Sequence, residues 1–110
     1  MPTRSSPFFR EIADIAPVMI WVAGLDKLCN YFNKTWLEFT GKELEDEVGD
    51  GWTKGVHPED VEHCLKTFFE SFDARSSFAM EYRLRRRDGA YRWILDNGRP
   101  IYGADGAFLG

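Results

Sequence analysis

The sequence predicts an α+β domain in which an antiparallel sheet carries its helices on one face. Three observations lead to this fold class. Apolar residues recur with a helical period over residues 58–72, and the period changes to alternation over residues 78–84. An Asp-Gly pair at residues 88–89 then marks a hairpin turn between two strand-like segments. The elements therefore run from a helix through a hairpin and short helices to one long helix and a group of strands.

The composition is that of one globular domain. The chain has 110 residues, of which 44% are hydrophobic and 29% charged, enough for a single core and a polar surface. Its net charge of −4 disfavours nucleic-acid binding despite the arginine-rich residues 81–100, so we predict no nucleic-acid partner. Two cysteines without metal-ligand spacing, no long apolar run and no signal peptide predict a cytoplasmic segment. A longer parent protein could still be anchored elsewhere.

The N-terminal segment predicts a short amphipathic helix. Ser6 and Pro7 match its cap and first turn, and Pro17 ends it. We divide the chain into a flanking helix at residues 1–16 and the main domain at residues 17–110. A lone peripheral helix with an apolar stripe needs a surface to cover, so we expect a homodimer that forms through this helix and the outer face of the sheet. The candidate interface residues are Phe8, Phe9, Ile12 and Ile15.

Residues 18–41 predict a β-hairpin followed by a short helix. Two β-rich runs, residues 18–23 and 28–33, flank the turn sequence GLDK. Asn33 can cap the helix, and Gly41 can end it in a left-handed conformation.

The middle of the chain predicts short helical turns and then the long helix. The four acidic side chains between residues 43 and 47 are interpreted as a solvated helical face. Pro58 suits the first turn of the long helix, and the acids at residues 59 and 60 favour its positive end. The apolar face of this helix consists of Val61, Cys64, Leu65, Phe68, Phe69 and Phe72.

The length of the loop at residues 88–89 determines the register of the two strands that it joins. A two-residue loop places Tyr82 opposite Leu95 and Leu84 opposite Trp93. All the large apolar side chains of both strands except Tyr91 and Ile94 then share one face, and Arg83, Arg85 and Arg92 lie on the other. We therefore predict an inner wall of aromatics and a polar outer face.

Five separated pieces of the sequence occur in an order that belongs to a known family. They are APVMIWVA, YFNKTWLEFTG, GWTKGVHPED, EYRLRRRDGAYRWILDNGRPIY and DGAFLG. Together they resemble the PAS sensory domains, in the subgroup with GW..VHPED before the long helix and EYR..RRDG.YRW after it. The resemblance runs from Ala16 to the end of the chain, and the agreement of five pieces in order and spacing makes it specific.

The resemblance implies a PAS fold, with a five-stranded antiparallel sheet of order 2-1-5-4-3 and helices enclosing a small cavity. Residues 107–110 would begin the fifth strand, which is truncated there. The implied role is a regulatory sensor, not an enzyme, that dimerises and passes a signal to a C-terminal effector. That effector would be a histidine kinase of a two-component system, or a diguanylate cyclase (GGDEF) or phosphodiesterase. The alternative is a ligand-free module that serves only dimerisation or protein interaction.

No cofactor is predicted. Covalent flavin binding in light-sensing members of the family requires a Cys on the short helix before the long one, and residues 42–56 contain none. Haem-binding members commonly use a His on the long helix, but His63 lies beside the apolar stripe, so a solvent-facing His is favoured. Cys64 is favoured as a small hydrophobe over a ligand. No catalytic or metal-binding motif occurs.

A small-molecule pocket lined by apolar side chains remains as the site hypothesis. Each candidate side chain is also explained as plain core, in which case the cavity is filled. The candidates for pocket residues are Trp36, Phe39, Trp52, Leu65, Phe68, Tyr82, Trp93 and Leu95.

Overall fold

The computed structural model describes residues 7–110, so the predicted cap at Ser6 lies outside the described residues. Four α-helices, one 3₁₀ helix and four strands are present in this part of the chain. They are α1 (Pro7–Ile15), β1 (Trp21–Ala23), β2 (Cys29–Phe32), α2 (Lys34–Thr40), α3 (Leu44–Glu47), the 3₁₀ helix (Gly51–Gly55), α4 (Val61–Asp73), β3 (Phe78–Arg85) and β4 (Tyr91–Gly98).

The predicted hairpin and helix after α1 are confirmed, and Asn33 joins them. β1 and β2 pair in antiparallel orientation. The Asn33 side chain accepts the backbone N–H of Trp36 at 3.1 Å, which caps α2, and it also accepts the N–H of Ile20 at 2.9 Å. Its amide donates to the carbonyls of Ala13 and Val18 at 2.7 and 2.8 Å. One buried amide therefore holds the ends of α1, β1 and α2 together.

α1 packs on the side of the β1–β2 hairpin that faces away from the main core. Ala13 is buried there in a cluster with Val22 and Tyr31, and the Tyr31 hydroxyl donates to the Asp14 carboxylate at 2.6 Å. The Phe9 ring contacts the Tyr31 ring, with centroids 5.8 Å apart. Of the predicted dimer-interface residues, Phe9 thus packs within the chain. The other three, Phe8, Ile12 and Ile15, are exposed.

The VHPED segment runs along the free edge of β3 before α4 begins. Val56 forms an isolated bridge with Leu84, and the His57 N–H donates to the Arg83 carbonyl at 2.9 Å. α4 begins at Val61, one turn later than predicted, because residues 58–60 form a turn. The segment therefore positions both the helix and the sheet edge.

The predicted register of β3 and β4 is wrong by one residue. Tyr82 lies opposite Ile94, and Arg83 lies opposite Trp93. The Arg86 N–H donates to the Ala90 carbonyl at 2.7 Å, so the loop contains three residues, 87–89, instead of two. Gly89 takes the left-handed conformation at φ 91°, as three-residue hairpin loops require at this position.

The change of register turns β4 over. Met80, Tyr82 and Leu84 face the core as predicted, but Asp96 joins them as a buried residue. Trp93 and Leu95 lie on the outer face, where 65% and 63% of their surfaces are exposed. The prediction that aromatics and arginines occupy opposite faces is therefore wrong for β4.

The described residues contain two separate two-stranded sheets, β1–β2 and β3–β4, instead of one five-stranded sheet. Beyond β4, Tyr102 and Phe108 form an isolated bridge. The Ile101 N–H donates to the Gly110 carbonyl at 2.8 Å, and the Leu109 N–H donates to the Ile101 carbonyl at 2.8 Å. The chain thus turns back on itself at residues 103–107.

Gly51 at the start of the 3₁₀ helix tests how closely this helix packs against the backbone of α3. A Cβ atom at this position would lie 2.0 Å from the backbone carbonyl oxygen of Asp46, whereas a Cβ at Gly55 would meet its nearest atom, Cδ1 of Leu84, at 3.5 Å. We expect Gly51→Ala to lower the free energy of unfolding by about 1–3 kcal/mol or more, because backbone must move. Gly55→Ala in the same helix is the matched control and should change it little. Urea denaturation measures both, and equal effects would contradict the close approach at Gly51.

Candidate functional site: the interior between the two hairpins

The interior between the two hairpins is almost completely filled by side chains. A cavity of only about 10 Å³ remains, which is about the space of one water molecule. Its lining consists of Trp21, Cys29, Phe32, Trp36, Trp52, Phe68, Met80, Tyr82 and Asp96.

Asp96 is the polar centre of this interior. Its carboxylate accepts the Tyr82 hydroxyl at 2.7 Å and the Trp21 indole N–H at 3.0 Å. Trp21 belongs to β1, whereas Tyr82 and Asp96 belong to β3 and β4. Asp96 is buried, at 8% exposure, and its two hydrogen bonds link two hairpins that share no strand pairing among the described residues.

Burial is the main influence on the pKa values of the ionisable groups in this interior. Desolvation raises the pKa of Asp96 in spite of the two hydrogen bonds, which lower it. Burial, together with the nearby carboxyl charge, also raises the pKa of the Tyr82 hydroxyl. Burial raises the pKa of the Cys29 and Cys64 thiols to about 12. Both cysteines are therefore thiols with almost no thiolate at neutral pH, and such thiols react slowly with oxidants.

A second buried carboxyl lies on α3. Glu47 is 3% exposed, and its carboxylate accepts the Trp36 indole N–H at 2.8 Å. Burial raises the pKa of Glu47. The expectation that all acids of residues 43–47 form a solvated face is therefore wrong for this one, because α3 turns Glu47 towards α2. No sequence pattern distinguished Glu47 from its exposed neighbours.

A larger cavity of about 600 Å³ lies between β1 and β4. Its walls include both strands, α4 residues such as Phe68 and Phe72, and the C-terminal residues Phe108 and Gly110. The edges of β1 and β4 that do not pair with β2 or β3 thus lie on opposite sides of one apolar groove.

The structure brings together some of the predicted pocket residues and separates others. Trp36, Trp52, Phe68 and Tyr82 line the small interior cavity. Phe39 and Leu95 border the larger groove, and Leu65 packs against the core without lining either cavity. Trp93 lies outside both, because the three-residue loop places its side chain on the outer face. Sequence reasoning missed Trp21 and Asp96; an isolated acid within an apolar strand was the available signal for Asp96.

The VHPED segment and the β3–β4 hairpin contact each other on the outer face of the hairpin. Arg83 donates to the Asp60 carboxylate through Nε and Nη2, both at 2.9 Å, and to Glu59 at 3.2 Å. Its guanidinium carbon lies 5.0 Å from the centroid of the Trp93 ring. This bidentate pair holds the pKa of Asp60 down at about 2. VHPED and the β3–β4 hairpin are therefore joined by one charged clamp.

Two further features concern residues 7–110: the surroundings of His63 and the lengths of the helices. His63 is exposed on α4, and within residues 7–110 no group of His, Cys, Asp and Glu side chains is arranged to hold a metal ion. None of the helices described is both long and apolar enough to cross a membrane.

Comparison with known proteins identifies the family. A family model described as the PAS fold matches residues 30–109, and the chain belongs to that family. It is 46% identical over 107 residues to an uncharacterized protein of Sinorhizobium fredii, covering 97% of this chain and 13% of that protein. It is 32% identical over 95 residues to the peroxide stress-activated histidine kinase mak1 of Schizosaccharomyces pombe, covering 79% of this chain and 6% of the kinase. The chain thus spans a small part of both relatives.

Solved structures show the same fold. The PAS domain of a Colwellia psychrerythraea protein superposes with a TM-score of 0.71 at 24% identity, covering 91% of this chain and 85% of that one. The N-terminal domain of a diguanylate cyclase with PAS/PAC sensor from Marinobacter aquaeolei gives a TM-score of 0.68 at 21% identity, covering 81% and 84%. The chain therefore has the PAS fold, and the proteins that it resembles include a histidine kinase and a diguanylate cyclase.

Asp96 allows a test of the link between the hairpins. Asp96→Ala should lower the free energy of unfolding by about 2–4 kcal/mol, because it leaves the donors of Tyr82 and Trp21 without their acceptor. Asp96→Asn should cost less, since the amide can bond both groups. The folded wild type keeps the Asp96 proton to higher pH than the unfolded chain, whose value is about 3.8, so its stability relative to Asp96→Asn should fall as pH rises from there.

Urea titrations across pH measure this difference, and Tyr82→Phe is the comparison variant. Removing the hydroxyl takes away a hydrogen bond that lowers the pKa of Asp96, so the decline should extend to higher pH. A stability difference that rises with pH would contradict the burial of this carboxyl.

The Asp60–Arg83 clamp should show the opposite pH dependence. Because the pKa of Asp60 is lowered from 3.8 to about 2, its stabilising contribution is complete above pH 4 and disappears as pH falls towards 2. Asp60→Asn should lower the melting temperature at pH 7 by about 5 °C and have little effect near pH 2. Glu59→Gln, at the more exposed and longer contact, is the control and should change it little. Equal effects of Asp60→Asn at both pH values would argue against an ionised clamp.

Proposed function

We propose that this chain is a relay domain of a signalling protein, which transmits a conformational signal to a C-terminal effector without binding a ligand in its interior. The filled interior carries this proposal, since about 10 Å³ leaves no room for a small molecule. The effector is a histidine kinase or a diguanylate cyclase, in line with the relatives named above. The domain itself is not catalytic.

The proposed sheet has five strands in the order 2-1-5-4-3, with the fifth strand in the groove between β1 and β4. Two features support it. Each bordering strand pairs on one side only, within residues 7–110, and the groove between them is apolar. After the turn at residues 103–107, the chain pairs with residues 101–103, and Phe108 and Gly110 reach the lining of this groove. A strand that continues from Gly110 would join the hairpins by backbone hydrogen bonds.

We also propose that the domain dimerises through α1. The exposed stripe of Phe8, Ile12 and Ile15 supports this, because α1 already uses its other side against the β1–β2 hairpin. A helix with apolar residues on two sides is typical of an element between two packed surfaces.

Detection of a small molecule is the second candidate, favoured by the groove of about 600 Å³. Its size is within the range of small-molecule sites, and it combines aromatic walls with the carboxyl group of Asp96. A ligand there would compete with the proposed fifth strand. Direct sensing by cysteine oxidation is not part of either proposal, because both thiols are buried and protonated.

Native mass spectrometry and amide hydrogen exchange test these proposals together. The experiment compares the 110-residue chain with a parent chain that continues past Gly110. For the relay, both should have the mass of the polypeptide alone. In the longer chain, the amides of β1 and of β4 that do not donate to β2 or β3 should become protected by the fifth strand.

Two results would change the assignment. A small molecule retained by the longer chain would support the ligand sensor instead of the relay. Edge amides that exchange equally fast in both chains would overturn the five-stranded order.

A further inference from the structure

Asp96 lies in the wall that the filled interior shares with the large groove between β1 and β4. Four residues line both cavities: Trp21, Trp36, Phe68 and Asp96. The other three are aromatic, and no other acidic residue in the described part of the chain lines either cavity. The carboxyl group that joins the two hairpins therefore belongs to a residue bordering the space that the proposed fifth strand fills.

Two protein donors reach the carboxyl group of Asp96, one at each oxygen. Oδ1 accepts the indole N–H of Trp21 at 3.0 Å, and Oδ2 accepts the hydroxyl of Tyr82 at 2.7 Å. An ionised carboxylate has about four acceptor sites, and sites that lack a protein donor need water when the group is charged. An open groove can supply that water. A strand that fills the groove removes it, which costs the charged form more than the neutral form.

The titratable groups on the interior side of Asp96 are neutral. They are Cys29 on β2, Cys64 on α4 and Tyr82 on β3, and burial raises the pKa of each. At Cys29, where the pKa is raised to about 12, the acids Asp96 and Glu47 add to the effect of burial. These neighbours therefore give an ionised Asp96 no charge to pair with.

The groove side carries two arginines, Arg75 and Arg99. The guanidinium carbon of Arg75 lies 3.8 Å from the centroid of the Phe108 ring, and its Nη1 donates to the Phe72 carbonyl at 3.2 Å. Burial and the two hydrogen bonds, and neither arginine, account for the pKa of Asp96. Closing the groove therefore acts on a carboxyl group whose charge is balanced by hydration and hydrogen bonds.

We infer that ionisation of Asp96 opposes docking of the fifth strand, so that the strand and one proton bind to the groove together. Closing the groove takes up a proton at Asp96, and by linkage the loss of that proton weakens the docking of the strand. The segment that leads to the C-terminal effector is thereby coupled to pH. This inference rests on the proposed fifth strand and adds a control over it.

Amide hydrogen exchange at several pH values tests the linkage in the parent chain that continues past Gly110. The edge amides are those of β1 and β4 that do not donate to β2 or β3. After correction for the intrinsic pH dependence of exchange, the equilibrium constant for their opening should rise with pH by up to tenfold per unit, since one proton is released. The rise should begin above pH 3.8, because burial already raises the pKa of Asp96 above this value while the groove is open.

Three variants assign the proton. Asp96→Asn should abolish the rise, because its amide does not titrate. Tyr82→Phe should move the rise to higher pH, because it removes a hydrogen bond that lowers the pKa of Asp96. Glu47→Gln is the matched control, since Glu47 is a buried carboxyl bonded to an indole N–H but lines neither cavity, and it should leave the rise unchanged. Circular dichroism verifies that each variant is folded.

Carboxyl ¹³C NMR gives a second readout that needs no variant to be stable. The midpoint of the Asp96 titration should lie at higher pH in the longer chain than in the 110-residue chain, because the docked strand excludes water from the charged form. The midpoint of the Glu47 titration should be the same in both chains.

The outcomes separate this inference from the proposed fifth strand. Edge amides that exchange equally fast in the longer and the 110-residue chains overturn both. Edge amides that are protected to the same degree at every pH, or equal Asp96 midpoints in the two chains, leave the strand in place and overturn the linkage. A rise that persists in Asp96→Asn, or that disappears in Glu47→Gln, overturns the assignment of the proton to Asp96.

Discussion

The carboxyl group of Asp96 holds together the two halves of this domain. β1–β2 and β3–β4 do not pair with one another in the part of the chain described, and Asp96 connects them by accepting hydrogen bonds from both sides. Phe68 and the other core rings fill the space around this contact. A polar link within an apolar core has to be fully bonded to be favourable, and it also allows only one arrangement of the two hairpins. The position of one hairpin relative to the other is therefore set by side chains.

The local elements could be predicted from the sequence because their signals are local. Asn33 and Gly41 mark the two ends of α2, and both have the predicted roles. The apolar period of α4 and the alternation of β3 are similarly independent of the rest of the chain. The family could be recognised because its motifs lie in such elements.

The inner and outer faces of β4 could not be predicted in this way. An Asp-Gly pair is compatible with a two-residue loop and with a three-residue loop, and hydrophobicity favoured the wrong one. The correct register buries Asp96 and exposes Trp93, which is unfavourable if only the hydrophobicity of these two side chains is considered. It becomes favourable through Trp21, which is distant in sequence and donates a hydrogen bond to Asp96, and through Arg83, which lies opposite Trp93 on β3. Glu47 escaped prediction for the same reason, since its partner Trp36 lies on another helix.

The loop at residues 87–89 has a consequence for how this hairpin tolerates change. Because adjacent residues of a strand point to opposite sides, the number of residues between Arg86 and Ala90 decides which side of β4 is the interior. Losing or gaining one residue there would exchange the surroundings of every β4 side chain at once, whereas a substitution changes only one. In engineering this domain, the length of the loop is a stricter constraint than its composition.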